Sequence, residues 1–435
     1  MIIHSIIKKS QLEGALRLDA EYYQPEYLEL INNLNSLKAV PIKDIATNPA
    51  RKFKPKKGET FNYIEISEVD LSTGEYNKAE ILGENAPDRA QQIIQKDDVI
   101  ISMVRPIRNA VSLIRNNEKN LVCSSGFAVL RSEKIEPEYL FVYLKTRPIV
   151  SLLARNNTAT MYPAVTIEDI LGIKIYIDNQ KFREEIKNLV IKSQNELENS
   201  KKFYAEAEGL LLGELGLNDF ECEECLYSIV NFSDVKNVGR MDAEYFQAKY
   251  EELVSKIKKY KNGFDNFDNL IEISNKKIEV NPEKEYKYIE LADVNGSLGT
   301  VDKIQTIKGK ELPSRAKMKL QKNDVIVSSV EGSTDKVALI DEDVQDLVGS
   351  TGFFVLKEKY FKPEVNLILI KSVIIKSLLM REAQGTILTA IPSSSLKRII
   401  LPKLKNDIQQ EIANLVKKSH NARKKAKELL DEAKQ

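Results

Sequence analysis

The chain has 435 residues, 42% hydrophobic and 30% charged, with a formal net charge of +1. Such a length expects two or three domains with sizeable cores, and the near-neutral total gives no global field that would announce a nucleic-acid partner, although it leaves room for local basic patches. No apolar run approaches the roughly 18–20 residues that span a bilayer, and Met1-Ile2-Ile3-His4-Ser5 lacks the charged front of a secretory signal, so a cytoplasmic location is expected.

In chain order, Leu18, Tyr22, Tyr23, Tyr27 and Leu30 form a helical stripe, with Asp19 as its expected N-cap. Short alternating or β-branched runs at 61–69, 98–104, 110–114 and 126–130 read as strands, separated by turn formers such as Ser72-Thr73-Gly74 and Asn116-Asn117. A helix is expected over 137–145, where Pro137 suits a first turn, and another over 148–154. The apolar run 171–177 has strand length. A long helix follows from about residue 180 to 212, roughly 50 Å at 1.5 Å per residue. Its Phe182, Ile186, Leu189, Ser193, Ser200 and Ala207 fall on a 4-3 spacing, the seam of a coiled coil. Gly213 is expected to break this helix, and a linker with Gly216 and an acidic stretch leads to about residue 237.

The same order then recurs. Leu18-Asp19-Ala20-Glu21-Tyr22-Tyr23 returns as Met241-Asp242-Ala243-Glu244-Tyr245-Phe246, 223 residues on. Tyr63-Ile64-Glu65-Ile66 returns as Tyr288-Ile289-Glu290-Leu291, at an offset of 225. Gln95-Lys96-Asp97-Asp98-Val99-Ile100 returns as Gln321-Lys322-Asn323-Asp324-Val325-Ile326, and Ser124-Ser125-Gly126-Phe127 as Ser350-Thr351-Gly352-Phe353, both at 226. Ile408, Ile412, Leu415, Ser419, Ala426 and Ala433 repeat the helical stripe at the same offset. One ancestral unit is present twice, in an α+β architecture of two sheet-rich mixed units, each followed by a long helix. The expected segments are 1–178, 179–213, 214–402 (linker and second unit) and 403–435. Mutual packing of the two helices is expected through Phe182, Ile186, Leu189 and Ser193 against Ile408, Ile412, Leu415 and Ser419.

Familiar catalytic patterns are missing. There is no Gly-x-x-x-x-Gly-Lys-[Ser/Thr] loop, no Gly-x-Gly-x-x-Gly after a strand, and no Asn/Asp-Pro-Pro-aromatic methyltransferase signature. His4 and His420 are the only histidines, too few for most acid–base triads. Cys222-Glu223-Glu224-Cys225 has zinc-like spacing but no second pair, so two ordinary thiols are expected, with no catalytic residue and no metal. Glu185-Ile186-Lys187 is the kind of nuclease-like fragment that chance supplies in a chain rich in Glu and Lys.

What the sequence offers is binding. Lys52, Lys54, Lys56 and Lys57 cluster after Arg51, and Arg105, Arg108 and Asn109 lie between two strands. The second copy has Lys276 and Lys277 near the first cluster's place. Lys308, Lys310, Arg315, Lys317 and Lys319 are expected on a middle loop, and Ser333, Thr334 and Lys336 replace the arginine pair. Arginine bridges guanine O6 and N7, and Ser, Thr, Asn and Lys serve bases or phosphates, so these loops are DNA-binding candidates. For any single lysine, a solvated surface is the simpler account; the paired clusters favour a polyanion.

Taken together, the doubled Asp-Ala-Glu-Tyr-aromatic opening, the Ser-[Ser/Thr]-Gly-Phe strand and the block Gly385-Thr386-Ile387-Leu388-Thr389-Ala390-Ile391 leading into the Gln409-Gln410-Glu411-Ile412 helix resemble the specificity subunit of a type I restriction–modification system. The first copy departs from this pattern, with Asn157-Thr158-Ala159-Thr160 where the second has Ala383-Gln384-Gly385-Thr386. The resemblance implies two target-recognition domains on the halves of a bipartite double-stranded DNA site, joined by two antiparallel helices acting as a ruler. It implies two methyltransferase subunits and restriction subunits as partners, which carry S-adenosylmethionine, ATP and Mg, with no chemistry and no cofactor in this chain. Three alternatives stay open: a duplicated scaffold binding protein or carbohydrate, a specificity subunit of a related defence system, and an enzyme with degenerate motifs.

Overall fold

Asp98-Val99-Ile100-Ile101-Ser102 is buried along its whole length, so neighbours must cover both of its faces. The computed structural model describes residues 4–10, 12, 17–157, 163–218, 227–383 and 391–435. It divides into two units, Met1–Glu196 with Lys424–Gln435, and Leu197–Arg423. The Cys222–Cys225 pair and most of the 385–391 block lie outside the described residues.

In the first unit, Asp98–Ser102 pairs antiparallel with Val111–Leu113 and Phe127–Ser132, and Ala46–Thr47 adds to the far side of the latter. A second four-stranded sheet runs in the order Ala79–Leu82, Thr60–Ile64, Leu121–Ser124, Ala90–Ile93, with Thr60–Ile64 parallel to Leu121–Ser124. Ile64, Ile100, Leu121, Phe127 and Val129 form one core, while Val99, Ile101, Leu113, Ala128 and Leu130 face a helical layer. That layer includes Pro137–Lys145 and Arg147–Arg155, each opened by proline in its first turn.

The second unit repeats this pattern by itself. Glu272–Ser274, Phe353–Lys357, Val325–Ser328 and Val337–Leu339 form one sheet. Gln305–Lys308, Glu285–Ile289, Leu347–Ser350 and Ala316–Lys319 form the other, with Glu285–Ile289 parallel to Leu347–Ser350. The duplication reaches backbone detail. Asp97 and Asn323 both take φ of +71°, and Asn120 and Asp346 both take +55°. A Cβ on Gly83 would lie 2.0 Å from the Lys56 carbonyl oxygen, and one on Gly309 would lie 2.0 Å from that of Asn281, so both positions admit only glycine.

Several elements differ from expectation. The opening motif is no single helix. Ala20–Tyr23 is a 3-10 turn, and the α-helix starts at Pro25, whose ring cannot sit inside one. Asp19 makes no cap; its carboxylate takes two bonds from the Arg17 guanidinium, and Tyr22 is stacked between Arg17 and Arg155, 4.6 and 3.5 Å from the ring centre. Arg240, Asp242, Tyr245 and Arg381 build the same stack in the second unit. The 61–69 run is a strand only to Ile64, followed by a 3-10 turn over Ile66–Glu68. The 171–177 run is mostly not a strand. Thr166 and Asp169 form a capping box that starts a helix over Ile167–Gly172, leaving Lys174–Ile175 extended.

The first long helix runs Gln180–Leu215 and passes through Gly213. Gly216, at φ +66°, ends it in a Schellman arrangement, with the Leu217 N–H on the Leu212 carbonyl at 2.8 Å and the Gly216 N–H on that of Gly213 at 3.1 Å. Its buried line is Ile186, Val190, Ser193, Leu197, Ser200, Tyr204, Ala207 and Leu211, a strict 4-3 alternation. Phe182, 39% exposed, and half-buried Leu189 flank this seam rather than forming it. The second long helix, Asn406–Ala433, buries Ile412, Val416, Ser419, Arg423, Ala426, Leu430 and Ala433 at the same offset, with Ile408 and Leu415 at its margin. The helices meet within each unit. In the first, the Ser193 hydroxyl donates to the Ala426 carbonyl at 2.7 Å. In the second, the Ser419 hydroxyl donates to the Ser200 carbonyl at 2.8 Å. These are the same bond under the duplication, and the pairings run antiparallel.

Candidate nucleic-acid interface

Small buried polar residues shape one end of the two sheets in each unit. The Ser102 hydroxyl donates to the Val104 carbonyl at 2.8 Å and accepts from the Val104 N–H, turning the chain out of its strand. Ser328 does the same around Val330. Ser124 accepts from the Gly126 N–H at 3.3 Å, and Ser350 from Gly352 at 3.2 Å. Backbone bonds then tie three loops together. In the first unit Ser125 N–H donates to the Arg89 carbonyl at 2.7 Å, and Met103 N–H to that of Gly126 at 2.8 Å. In the second, Thr351 N–H donates to the Arg315 carbonyl at 2.8 Å, and Ser329 N–H to that of Gly352 at 2.9 Å. One loop end therefore carries residues 89, 103–109 and 125–126 in the first unit, and 315, 329–336 and 351–352 in the second.

The expected site residues fall into two groups on this frame. Arg105, Arg108 and Asn109 stand at the first unit's loop end. Pro106 is buried and anchors a 3-10 turn over Pro106–Arg108, while both arginines are exposed. Arg105 and Asn109 bracket the turn in the left-handed region, at φ +50° and +55°, unusual for residues other than glycine. Asn109 donates to the Leu144 carbonyl at 3.3 Å, so its amide faces inward. The counterparts in the second unit are drawn in. Ser333 hydroxyl lies 2.7 Å from that of Ser328, Thr334 is buried, and Lys336 Nζ donates to the Val294 carbonyl at 2.9 Å. Expected as an exposed tip, these three side chains instead hold their own loop.

The second group lies away from the loop end. Lys52 bridges Gln92 at one edge of the second sheet, and the Lys56 carbonyl lies against Gly83 beyond the opposite edge. The segment between them therefore crosses the sheet's outer face, with Phe53 packed on Phe61 at 4.7 Å between ring centres. Lys52, Lys54, Lys56 and Lys57 are all exposed along it. Arg51 is not a free member of this cluster. It pairs with the fully buried carboxylate of Asp98, which also binds Arg131 at 2.7 Å. In the second unit Ile278 takes the place of Phe53, and Lys276 and Lys277 are exposed beside it. The expected middle loop is two strands and a turn: Lys308 ends Gln305–Lys308, Lys310 lies in the turn Gly309–Glu311, Arg315 is exposed in the loop, and Lys317 and Lys319 are the outward residues of Ala316–Lys319.

Residues the sequence reading passed over share this frame. Arg89 is exposed at the loop end, and Pro87-Asp88-Arg89-Ala90 matching Pro313-Ser314-Arg315-Ala316 was its available signal. Ile107 is 60% exposed between the two arginines. Lys145, buried, and Lys371, half-buried, occupy equivalent positions and donate to the Leu71 and Gly296 carbonyls. Burial brings Lys145 down to about 7, helped by nearby Lys434, and Lys371 down to about 8. Burial pushes the Cys123 thiol up to about 12, which leaves it an inert core residue. Among the described residues no cluster of His, Cys, Asp and Glu could hold a metal, and no helix is long and apolar enough to cross a membrane.

Comparison with known proteins returns the resemblance read from the repeats. The chain is 22% identical over 171 residues to the type I restriction enzyme HindI specificity subunit of Haemophilus influenzae, a match spanning 38% of this chain and 37% of that relative. Among solved structures, the HsdS subunit of Thermoanaerobacter tengcongensis is similar at 19% identity over 91% of this chain and 95% of its own, with a TM-score of 0.34. The type I restriction–modification S subunit of M. genitalium is similar at 12% identity over 91% and 92%, with a TM-score of 0.38. No family model matches the sequence.

Proposed function

We propose that this chain is the DNA sequence-recognition subunit of a type I restriction–modification complex, reading a bipartite double-stranded site and directing methyltransferase and restriction subunits to it. The observation that carries the reading is a frame repeated down to single backbone angles while the side chains at its loop end differ. A duplicated enzyme would repeat its reactive groups; a reader of two words repeats its frame and varies its tips. The specificity subunit from Haemophilus influenzae supports the same assignment.

In this reading Arg105 and Arg108 contact bases of one half-site, and exposed lysines such as Lys54, Lys57, Lys276, Lys277, Lys310 and Lys317 contact backbone. The second unit reads its word with a different set around residues 329–336 and 351–352. The paired helices set the number of base pairs between the half-sites and carry the methyltransferase subunits. The chain does no chemistry and works in the cytoplasm; S-adenosylmethionine, ATP and Mg belong to its partners.

The test is reconstitution. Purified chain with its methyltransferase partner should methylate a site made of two short half-sites separated by a fixed unspecified spacer. Methylation with no bipartite motif, or co-purification with no methyltransferase at all, would reject the proposal.

A further inference from the structure

Internal duplication supplies a second observation of every surface position. Most exposed positions have diverged: Lys54, Lys56 and Lys57 correspond to Glu279, Asn281 and Pro282, and neither Arg105 nor Arg108 has an arginine counterpart. Arg89 and Arg315 are kept in both copies, as are the exposed pairs Lys52 with Lys277 and Lys96 with Lys322, and they are the arginines of that shared set at the loop end. Both are exposed, and among the described residues neither guanidinium has a hydrogen-bond or ion-pair partner. Both carbonyls are pinned by the neighbouring turn, at 2.7 Å from Ser125 N–H and 2.8 Å from Thr351 N–H. Each residue also stands directly before the same irregularity of pairing, between Ala90 and Gln92 and between Ala316 and Met318. Bulges of this kind re-aim side chains and recur beside functional sites.

The fold uses the backbone of these residues and leaves the guanidinium idle, so the fold alone does not account for arginine in both copies. A contact made identically by both units cannot distinguish two DNA words. It can serve what both words share, which is the phosphate backbone. Resting on the DNA-reading role proposed above, we infer that Arg89 and Arg315 are equivalent, sequence-independent phosphate contacts, one in each unit. They fix each loop end against the duplex while unshared neighbours such as Arg105 and Arg108 read bases.

The test measures binding of the full chain, with its methyltransferase partner, to a random-sequence duplex of about 40 base pairs over about 50 to 300 mM salt. Arg89→Ala and Arg315→Ala should each lower the log–log salt slope by about one and weaken binding roughly eightfold near 0.1 M salt, equally on any sequence. Arg89→Lys should keep the slope. Unchanged slopes in both alanine variants, with the wild type still salt-sensitive, would overturn the phosphate assignment and leave the DNA-reading role standing. Altered sequence preference in either variant would make that arginine a base reader and also overturn it. A wild type with no salt-dependent retention would remove both proposals together.

Discussion

The loop at 103–109 and its counterpart at 329–336 leave the same serine turn and reach opposite ends. In the first unit the chain holds Arg105 and Asn109 in left-handed backbone and presents two arginines and Ile107 to solvent. In the second, Ser333, Thr334 and Lys336 turn back to hold the loop itself. A frame fixed by buried Ser102, Ser124 and Asp98, or by Ser328, Ser350 and Asp324, tolerates either outcome. In the first unit the residues that hold the frame and those exposed at the tip are therefore different, whereas in the second unit the tip side chains also hold their loop.

The largest expected effect breaks the frame of one unit. Asp98 is fully buried, pairs with Arg51 and Arg131, and accepts the Gln95 N–H at 2.8 Å; Asp98→Ala should cost about 3 kcal/mol in chemical denaturation. Asp324, paired with Lys357 at 2.6 Å and accepting the Gln321 N–H at 3.0 Å, has a single cation among the described residues and should lose less on the same change. Equal losses would show that the second arginine adds nothing.

A sharper comparison uses the tips. Arg108→Ala should relax one half-site by about 1–3 kcal/mol of discrimination and spare the other. Competition binding against single-base variants of both half-sites would measure it. Arg105→Gly should do the same while leaving stability level or slightly raised, by up to about 1 kcal/mol, because glycine takes positive φ without strain. A destabilised Arg105→Gly would mean that the arginine serves the loop rather than the ligand.

The helices offer a comparison in which the two units should differ slightly. Ser193→Ala removes one buried bond and should cost about 1 kcal/mol, while Ser419→Ala also takes away the partner of the buried Ser200 hydroxyl at 3.0 Å and should cost more in chemical denaturation. The buried lysine gives a signal that only a pH series reveals. Lys145 holds a proton only below about 7 when folded and up to its ordinary 10.5 when unfolded, so between those values unfolding takes up a proton. Stability should rise with pH across that window, and Lys145→Met should flatten the rise in thermal melts read across it. A slope unchanged by the substitution would assign the effect to other groups.

Much of this architecture was legible before any coordinates. Short apolar, β-branched runs and Pro137 located the central strands and the helix that follows them, because strands covered on both faces are apolar almost throughout. The 4-3 period located both long helices but placed the seam one residue off at Leu189, where a bulky apolar residue at the margin imitates a core position. Proline and capping chemistry decided the misplaced elements, Pro25 at the opening motif and Thr166 with Asp169 before the last strand. Long-range pairing was invisible. Nothing local marks Arg51 as the partner of Asp98, or shows that Ser333 and Lys336 fold inward, since those contacts join residues brought together only by the sheet. Arg89 was legible in the repeat itself, through Pro87-Asp88-Arg89-Ala90 and Pro313-Ser314-Arg315-Ala316, while its exposure was not.

The central claim is that one frame, present twice, reads two independent words. Sequencing of methylated positions in a host carrying the wild-type chain or the Arg105→Ala/Arg108→Ala variant tests it most directly. The account predicts a bipartite motif in which the variant relaxes one half while the other half and the spacer stay unchanged. Loss of both halves together, or a motif with no second half, would contradict it.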